Sequence, residues 1–413
     1  MTKHSEKRKV PYTPLKMFDL VADIEKYPEF LPWCVASRVI SNDNNILIAD
    51  LMIGFQVFKE KFRSRVKLDK KNMKISVAYE DGPFKFLTNK WEFNEDKNHC
   101  EINFYLDFEK PISDIMDKIE ALKIASEDDP KLIPEIEKLK RKEKNLRKRI
   151  FSKLSIWQKV QIARHPQRPH TKDYIGLIFS NFVELHGDRQ YADDAAIIGG
   201  IGDIDNQSFM IIGHEKGRET EEKVKRNFGM PHPEGYRKAK RLMILAERFS
   251  LPIISFIDTA GAYPGIEGEE RGQSEAIASN LALMSKLKTQ ILVFITGEGG
   301  SGGALGIGVG DHYSILEHAT YSVASPEACS SIIWRTADKA ANAAEAMKVS
   351  AQELIKIGIV DEIISEPSGG AHRNYSETAR AIKSSILENI AKFKAIDIDK
   401  LLGMRYQKLL KIG

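Results

Sequence analysis

Seven glycines fall within the twelve residues Gly297-Glu298-Gly299-Gly300-Ser301-Gly302-Gly303-Ala304-Leu305-Gly306-Ile307-Gly308. They follow the apolar run Ile291-Leu292-Val293-Phe294-Ile295, which reads as a buried strand, with the glycines as a sharp turn into a helix. Glycine adds no side chain to a core and loses the most backbone freedom on folding. What such a stretch offers is bare main chain. A ligand can approach the N–H groups there, and a following helix adds its partly positive N-terminus, so the corner suits a developing negative charge. That is an oxyanion hole. The competing reading is a close helix–strand crossing that admits only small residues, and the glycines alone do not choose between them.

A second corner tips the balance. Leu251-Pro252-Ile253-Ile254-Ser255-Phe256-Ile257-Asp258-Thr259-Ala260 runs into Gly261-Ala262-Tyr263-Pro264-Gly265, and both corners could face one pocket. Gly299, Gly300, Gly302, Gly303 and Ala304 are candidate site residues on one side, and Gly261, Ala262, Tyr263, Pro264 and Gly265 on the other. Glu267, Glu269 and Glu270 are the one plausible carboxylate set for proton transfer, and there is no convincing catalytic triad. Cys34, Cys100 and Cys329 are far apart, without the spacing of a zinc site, and suit a reducing compartment.

The elements that carry these corners alternate. Strand character at 195–201, 209–213, 253–258, 291–296, 313–316 and 359–364 is interleaved with helical stretches such as 235–249 and 274–287, which argues for an α/β domain with crossover helices. Pro233-Glu234-Gly235-Tyr236-Arg237-Lys238-Ala239-Lys240-Arg241 starts the first of these helical stretches with a basic face that could meet solvent or an anionic ligand. Upstream, Ile112, Ile115, Ile119 and Leu122, then Ile136, Leu139, Leu146 and Ile150, repeat at helical spacing as a hairpin broken at Asp128-Asp129-Pro130. Lysines and arginines from Lys138 to Arg149 read as a solvated face or subunit contact, since no aromatics interleave them as in nucleic-acid binders.

Residues 1–109 differ. A short helix around 19–26, an aromatic turn at Glu29-Phe30-Leu31-Pro32-Trp33-Cys34 and strand-like segments at 45–53, 57–68, 74–80, 84–93 and 100–108 describe an antiparallel sheet. At 413 residues the chain can hold several domains, and a net charge of +4 is too small to argue for nucleic acid. No stretch reaches membrane-span or signal length, so a cytoplasmic protein is expected.

Two resemblances follow. Phe18-Asp19-Leu20-Val21-Ala22-Asp23, Tyr27-Pro28-Glu29-Phe30-Leu31-Pro32-Trp33-Cys34 and Asp81-Gly82-Pro83-Phe84 resemble the coenzyme Q-binding proteins of the START-like superfamily, an α+β helix-grip fold; the likeness is expected to end near Glu109, without the long closing helix. From about Leu106 onward, Ala163-Arg164-His165-Pro166, Glu184-Leu185-His186-Gly187-Asp188-Arg189, Gly213-His214-Glu215-Lys216-Gly217-Arg218, Pro233-Glu234-Gly235-Tyr236-Arg237-Lys238-Ala239, the two glycine corners and Gly369-Gly370-Ala371-His372-Arg373 closely resemble the α subunit of bacterial acetyl-CoA carboxylase carboxyltransferase. That resemblance implies a crotonase-like spiral of ββα units and a division into a START-like segment at 1–109, a helical hairpin at 110–160, a carboxyltransferase domain at 161–390 and a helical tail at 391–413. It implies transfer of the carboxyl group of carboxybiotin, borne on a biotin carboxyl carrier protein, to acetyl-CoA to form malonyl-CoA. The expected partner is a zinc-bearing β subunit in an α2β2 assembly, with no metal in this chain. By position, the amides of Gly303 and Ala304 would stabilise charge on the biotin ureido oxygen, and the turn at 261–265 would line the pocket. A bulky residue at Gly303 is expected to abolish activity while the fold survives.

The family usually has proline where Ala260 stands, so the turn after Asp258 should be looser. Ala346-Met347-Lys348-Val349 looks like a biotin attachment sequence, but it follows helical residues, and Ser350 with Glu353 would form a capping box, so Lys348 should not be biotinylated. Two rival readings remain: a stand-alone crotonase-fold hydratase or isomerase using the three glutamates, and a non-enzymatic quinone- or lipid-binding START-like protein. The segment Phe104-Tyr105-Leu106-Asp107-Phe108-Glu109 suits both resemblances, so the join leaves no seam.

Overall fold

The computed structural model describes residues 8–10, 12–30, 34–43, 45–55, 58–81, 88–96, 99–102, 107–126 and 132–412. The chain packs as two compact units, 1–143 and 144–413. The division falls inside the helix Ile133–Phe151, whereas the sequence reading draws its boundaries at 109 and 160.

In the first unit, β1 (Arg8–Val10) precedes β2 (Cys34–Asp43), β3 (Ile46–Phe55), β4 (Phe58–Asp69), β5 (Lys74–Asp81) and β6 (Thr88–Glu92), and the last five form an antiparallel meander in chain order. Period-two patterning decides its faces: Phe62, Ser64 and Val66 of β4 are buried, while Arg65 and Lys67 between and beyond them are exposed. Phe18, from the helix Pro14–Ala22, closes this core and meets Phe93 edge-on at 6.0 Å. β7 (Asn94–Asp96) and β8 (His99–Ile102) pair with each other, and β8 pairs with β1. Residues 94–96, which lie between the two strand-like segments expected at 84–93 and 100–108, are thus strand themselves. β2 was not expected at all; it is an edge strand with Cys34 its one buried residue, so it carries no alternation to read. Residues 31–33, 82–87 and 103–106, on which parts of the START-like motifs and of two expected strands fall, lie outside the described residues.

Helices follow at Lys110–Ser126 and Ile133–Phe151, with Ile112, Ile115, Ile119 and Ile136 buried, as their spacing predicts. The basic run on the second helix is mostly exposed.

The second unit is built on an eight-stranded sheet. β9 (Ser180–Glu184), β10 (Ile197–Ile204) and β11 (Gln207–His214) run antiparallel; β12 (Ile253–Thr259), β13 (Ile291–Gly300), β14 (His312–Leu316) and β16 (Glu362–Ile364) continue parallel from β11, and β15 (Thr320–Ser322) pairs with the end of β13. Parallel strands are covered on both faces and so read as unbroken apolar runs; every residue of β12 is buried. β9 is exposed at four of its five positions and β15 has only three residues, which is why neither was legible.

The crossover helices are Pro233–Arg248 and Gln273–Met284. The basic face of the first is largely paired within the chain. Arg237 pairs with Asp188 at 2.8 Å, Lys238 donates to Asp193 at 2.6 Å and to the Asp194 carbonyl at 2.7 Å, and Arg241 donates to the Gly187 carbonyl at 3.0 Å. An acidic loop of the same chain absorbs the charge. The C-terminal helix Ile398–Ile412 sends the fully buried Arg405 beneath the sheet, where its guanidinium takes both carboxylate oxygens of Asp311 at 2.8 Å and the carbonyls of Met284, Leu287 and Thr289.

Candidate functional site

The corners after β12 and β13 lie against each other. Strand pairing runs up to Thr259 opposite Gly299, past a register shift between Ile257 and Thr259. A Cβ on Gly303 would stand 2.3 Å from the carbonyl carbon of Gly261 and 2.5 Å from the amide nitrogen of Ala262, and one on Gly300 would stand 2.2 Å from the carbonyl oxygen of Ala260. Side chains take the corresponding space at Gly297 (Asp258, 2.2 Å), Gly299 (the Tyr321 ring, 2.2 Å) and Gly306 (the Tyr236 ring, 2.5 Å). Close packing therefore accounts for most of these glycines. Gly302 is the exception: nothing but the Ile277 side chain, at 3.5 Å, approaches its missing Cβ.

β13 also runs further than its apolar residues suggest. Gly297, Glu298, Gly299 and Gly300 are strand, and the helix after them is the five-residue turn Ser301–Leu305. Too few peptides align in it to sum a substantial dipole, so the expected helix-terminus contribution falls away and the individual N–H groups remain. Ser301, Gly302 and Gly303 occupy the first turn, where no carbonyl stands four residues back within the helix; Ala304 is the first whose N–H can reach one, that of Gly300. Ser301 sits exposed at φ 52°, turning the chain sharply out of the sheet.

The far side of the turn is anchored. The Gly303 carbonyl oxygen accepts from His214 Nε2 at 3.2 Å and from the Tyr236 hydroxyl at 3.2 Å, both from residues with no exposed surface. Burial drives the His214 imidazole down to about 4 and the Tyr236 hydroxyl well above its ordinary range, so the first is neutral and the second protonated at neutral pH. A carbonyl can only accept, so Nε2 of His214 carries the ring proton. Opposite, Thr259 Oγ1 donates to the Gly261 carbonyl at 2.7 Å and accepts from its amide at 3.1 Å, and Tyr263 is held by a main-chain bond to Pro231 at 3.0 Å and packs its ring 4.1 Å from that of His232. Ala260, where the resemblance leads one to expect proline, lies exposed at the start of this braced turn.

Behind the corners runs a chain of charges. Lys216 Nζ reaches Asp258 at 2.7 Å and Glu298 at 3.0 Å, and Arg164 joins Glu298 to Glu327 at 2.5 Å each. Burial alone would raise the Glu298 carboxyl, but Lys216 and Arg164 outweigh it and hold it at about 2. This network ties the ends of β12 and β13 together. The pocket it bounds with Gly299, Gly300 and Ser322 has room for about 10 Å³, the size of a water.

His214, Tyr236, Lys216 and Arg164 were given no role from sequence. Each belongs to a stretch that resembles the carboxyltransferase family, yet nothing in the spacing says that they converge on one corner. The carboxylates of the rival reading do not converge: Glu267, Glu269 and Glu270 are exposed, and the main chain and the Tyr263 hydroxyl keep Glu267 below its ordinary value rather than raising it for acid catalysis. Lys348 ends the helix Ala340–Met347 at φ 52° rather than standing on a hairpin. Ser350 does precede the next helix, Ala351–Lys356, but makes no side-chain cap bond, so the capping box is not formed; it instead bridges to Thr320.

His214 and His372 also predict an acid response. Burial is the main cause that lowers both, His372 well below the ordinary value, with His165 stacked on it at 3.9 Å. Unfolded, both would take up protons near pH 6.5; folded, His214 resists until about 4. Their contribution is complete above pH 6.5 and is lost as pH falls from there toward 4. Denaturant titrations at pH 7.5 and 5 should show the second unit less stable at pH 5, and in the double variant His214→Gln, His372→Gln the difference should shrink.

The candidate site is thus an α/β sheet whose two adjacent strand ends present touching main-chain corners, with the nearby side-chain charges paired behind them. Comparison with known proteins narrows this. Residues 105–413 match the family model described as acetyl co-enzyme A carboxylase carboxyltransferase-like. The chain is 57% identical over 313 residues to acetyl-coenzyme A carboxylase carboxyl transferase subunit alpha of Vibrio cholerae, covering 75% of this chain and 98% of that protein. It is 55% identical over 310 residues to the protein of that name from Azotobacter vinelandii, with the same coverage. The chain belongs to the acetyl-CoA carboxylase carboxyltransferase α-subunit family. Residues 10–124 match a second family, polyketide cyclase / dehydrase and lipid transport, so the two matches overlap at 105–124 and share the helix Lys110–Ser126. Among solved structures, transcarboxylase 12S aligns at 19% identity with a TM-score of 0.44, over 55% of this chain and 42% of that one. No helix among the described residues is long and apolar enough to cross a membrane.

Proposed function

We propose that this chain is the α subunit of an acetyl-CoA carboxylase carboxyltransferase, working with a zinc-bearing β subunit in an α2β2 assembly, and that it receives carboxybiotin from a biotin carboxyl carrier protein to form malonyl-CoA from acetyl-CoA. Bound carboxybiotin supplies the transferable carboxyl group and an oxygen on which negative charge develops. The residues fit that group: the first-turn amides are main chain, the space over Gly302 is open, and no side-chain carboxylate of the described residues hydrogen-bonds there.

The amides of Gly302 and Gly303 would donate to the developing charge, while Ala304, named with Gly303 on the resemblance, fixes the turn through its place in the helix. Donors already in position cost no reorganisation as charge builds. The turn Gly261-Ala262-Tyr263-Pro264-Gly265 forms the facing wall. Gly299 and Gly300 shape this corner from behind, since Tyr321 and Ala260 fill the space beside them. The observation that carries the reading is the open space beside Gly302, with none but Ile277 near it, and beside Gly261 in the facing corner, at two corners otherwise in contact.

Gly302→Val tests it. Valine fits the opening, so the melting temperature should stay within a few degrees, while malonyl-CoA formation by the complex reconstituted with β subunit and carboxylated carrier should fall at least about 100-fold, the scale of losing an oxyanion donor. Unchanged transfer would reject the site.

A further inference from the structure

We infer that His214 and Tyr236 are positioning residues for carboxyl transfer, gripping the Gly303 carbonyl so that the amides on the opposite end of the turn Ser301–Leu305 stay aimed at the anionic oxygen. This rests on the main-chain site proposed above.

The turn is too short to orient itself. A five-residue helix has almost no ladder of its own, and its last carbonyls lack partners inside it. Downstream, the Ile307 amide reaches the Ala304 carbonyl at 3.4 Å and not that of Gly303, so the Gly303 oxygen is left to His214 and Tyr236. In a helical turn the carbonyls point one way along the axis and the N–H groups the other. Two rigid donors on a carbonyl thus fix the direction of the amides at the opposite end.

The surroundings serve this grip. His214 ends β11, next to the charge network that ties down β12 and β13. Tyr236 can lie where it does because residue 306 is glycine: a Cβ there would stand 2.5 Å from its ring. Asn280, itself without exposed surface, donates to the Tyr236 carbonyl at 3.0 Å and to the Gly306 carbonyl at 2.8 Å, locking the tyrosine backbone to the segment it braces. A buried carbonyl needs one partner to be satisfied; this one has two, from two different elements.

The test uses the full chain, alone for spectroscopy and with the β subunit for kinetics. Tyr236→Phe removes one oxygen and keeps the ring. It should lower kcat about tenfold, a fraction of the loss that a full ångström of misplacement brings, while KM for acetyl-CoA and for carboxylated carrier stays put. His214→Leu should do the same, and His214→Gln, whose amide N–H can reach the same carbonyl, should recover most of the rate. In chain labelled with ¹⁵N-histidine, His214 should show the Nε2–H tautomer, and in chain labelled with ¹⁵N-glycine the Gly302 and Gly303 amide resonances should shift in Tyr236→Phe. Wild-type kcat in Tyr236→Phe and His214→Leu, with only the melting temperature lowered, would reduce the pair to a structural cap and overturn the inference; so would an Nδ1–H tautomer. An inert Gly302→Val would instead reject the underlying site, so the two failures are separable.

Discussion

Gly303→Ala is expected to remove carboxyl transfer and to destabilise the second unit together. The added methyl would stand 2.3 Å from the Gly261 carbonyl carbon and 2.8 Å from its Cα, and no side chain is there to move aside. Both contacts are backbone at the ends of β12 and β13, strands buried along nearly their whole length. Relief requires the corners to part. Overpacking of this kind costs about 1–3 kcal/mol, and parting the corners by an ångström would cost about 100-fold in rate. The sequence alone suggested that a bulky residue here would spare the fold; the contact with Gly261 and Ala262 says otherwise, and assigns the fold-sparing test to Gly302. Thermal unfolding and malonyl-CoA formation measured on one preparation check it, and wild-type values for both would mean that the corners do not touch.

Arg405→Leu is expected to be the most destabilising single change in the second unit. All five guanidinium N–H groups are used, two on Asp311 and three on main-chain carbonyls. Asp311 is itself buried and also accepts from the Ile291 amide at 2.8 Å, at the start of the strand that ends in the glycine corner. Leucine leaves that carboxylate charged and without its counter-ion, and three carbonyls short of donors. Breaking a buried pair on one side costs about 3–5 kcal/mol, which for a unit of this size lowers the melting temperature on the order of 10 °C. Arg405→Lys should recover only part, because an ammonium has three donors and no planar fork. A melting temperature within a degree or two of wild type in Arg405→Leu would show that the helix Ile398–Ile412 is not held this way.

Both expectations depend on partners far apart in the chain, and that marks the limit of what could be read beforehand. Strands β10 to β14 were legible because burial on both faces leaves runs such as Ile291-Leu292-Val293-Phe294-Ile295, and the helix stripe Ile112, Ile115, Ile119 was legible because one face is apolar. β2, β9 and β15 were not, since exposed or very short strands have no burial pattern to betray them. The basic face at Arg237, Lys238 and Arg241 shows the same limit in its charges. A run of cations announces that it needs anions, yet only the fold reveals that Asp188, Asp193 and the carbonyls of one loop supply them.

Sequence by itself determined that the second unit would be an α/β sheet with two glycine corners, where residues without side chains leave the main chain bare. Tertiary structure decided which of those glycines serve packing and which leave open space, and it supplied His214, Tyr236 and Arg405 as the groups that hold the corner and its strand in place. Spacing along a chain reports which side of each segment is shielded from water; it carries no record of which distant segment does the shielding.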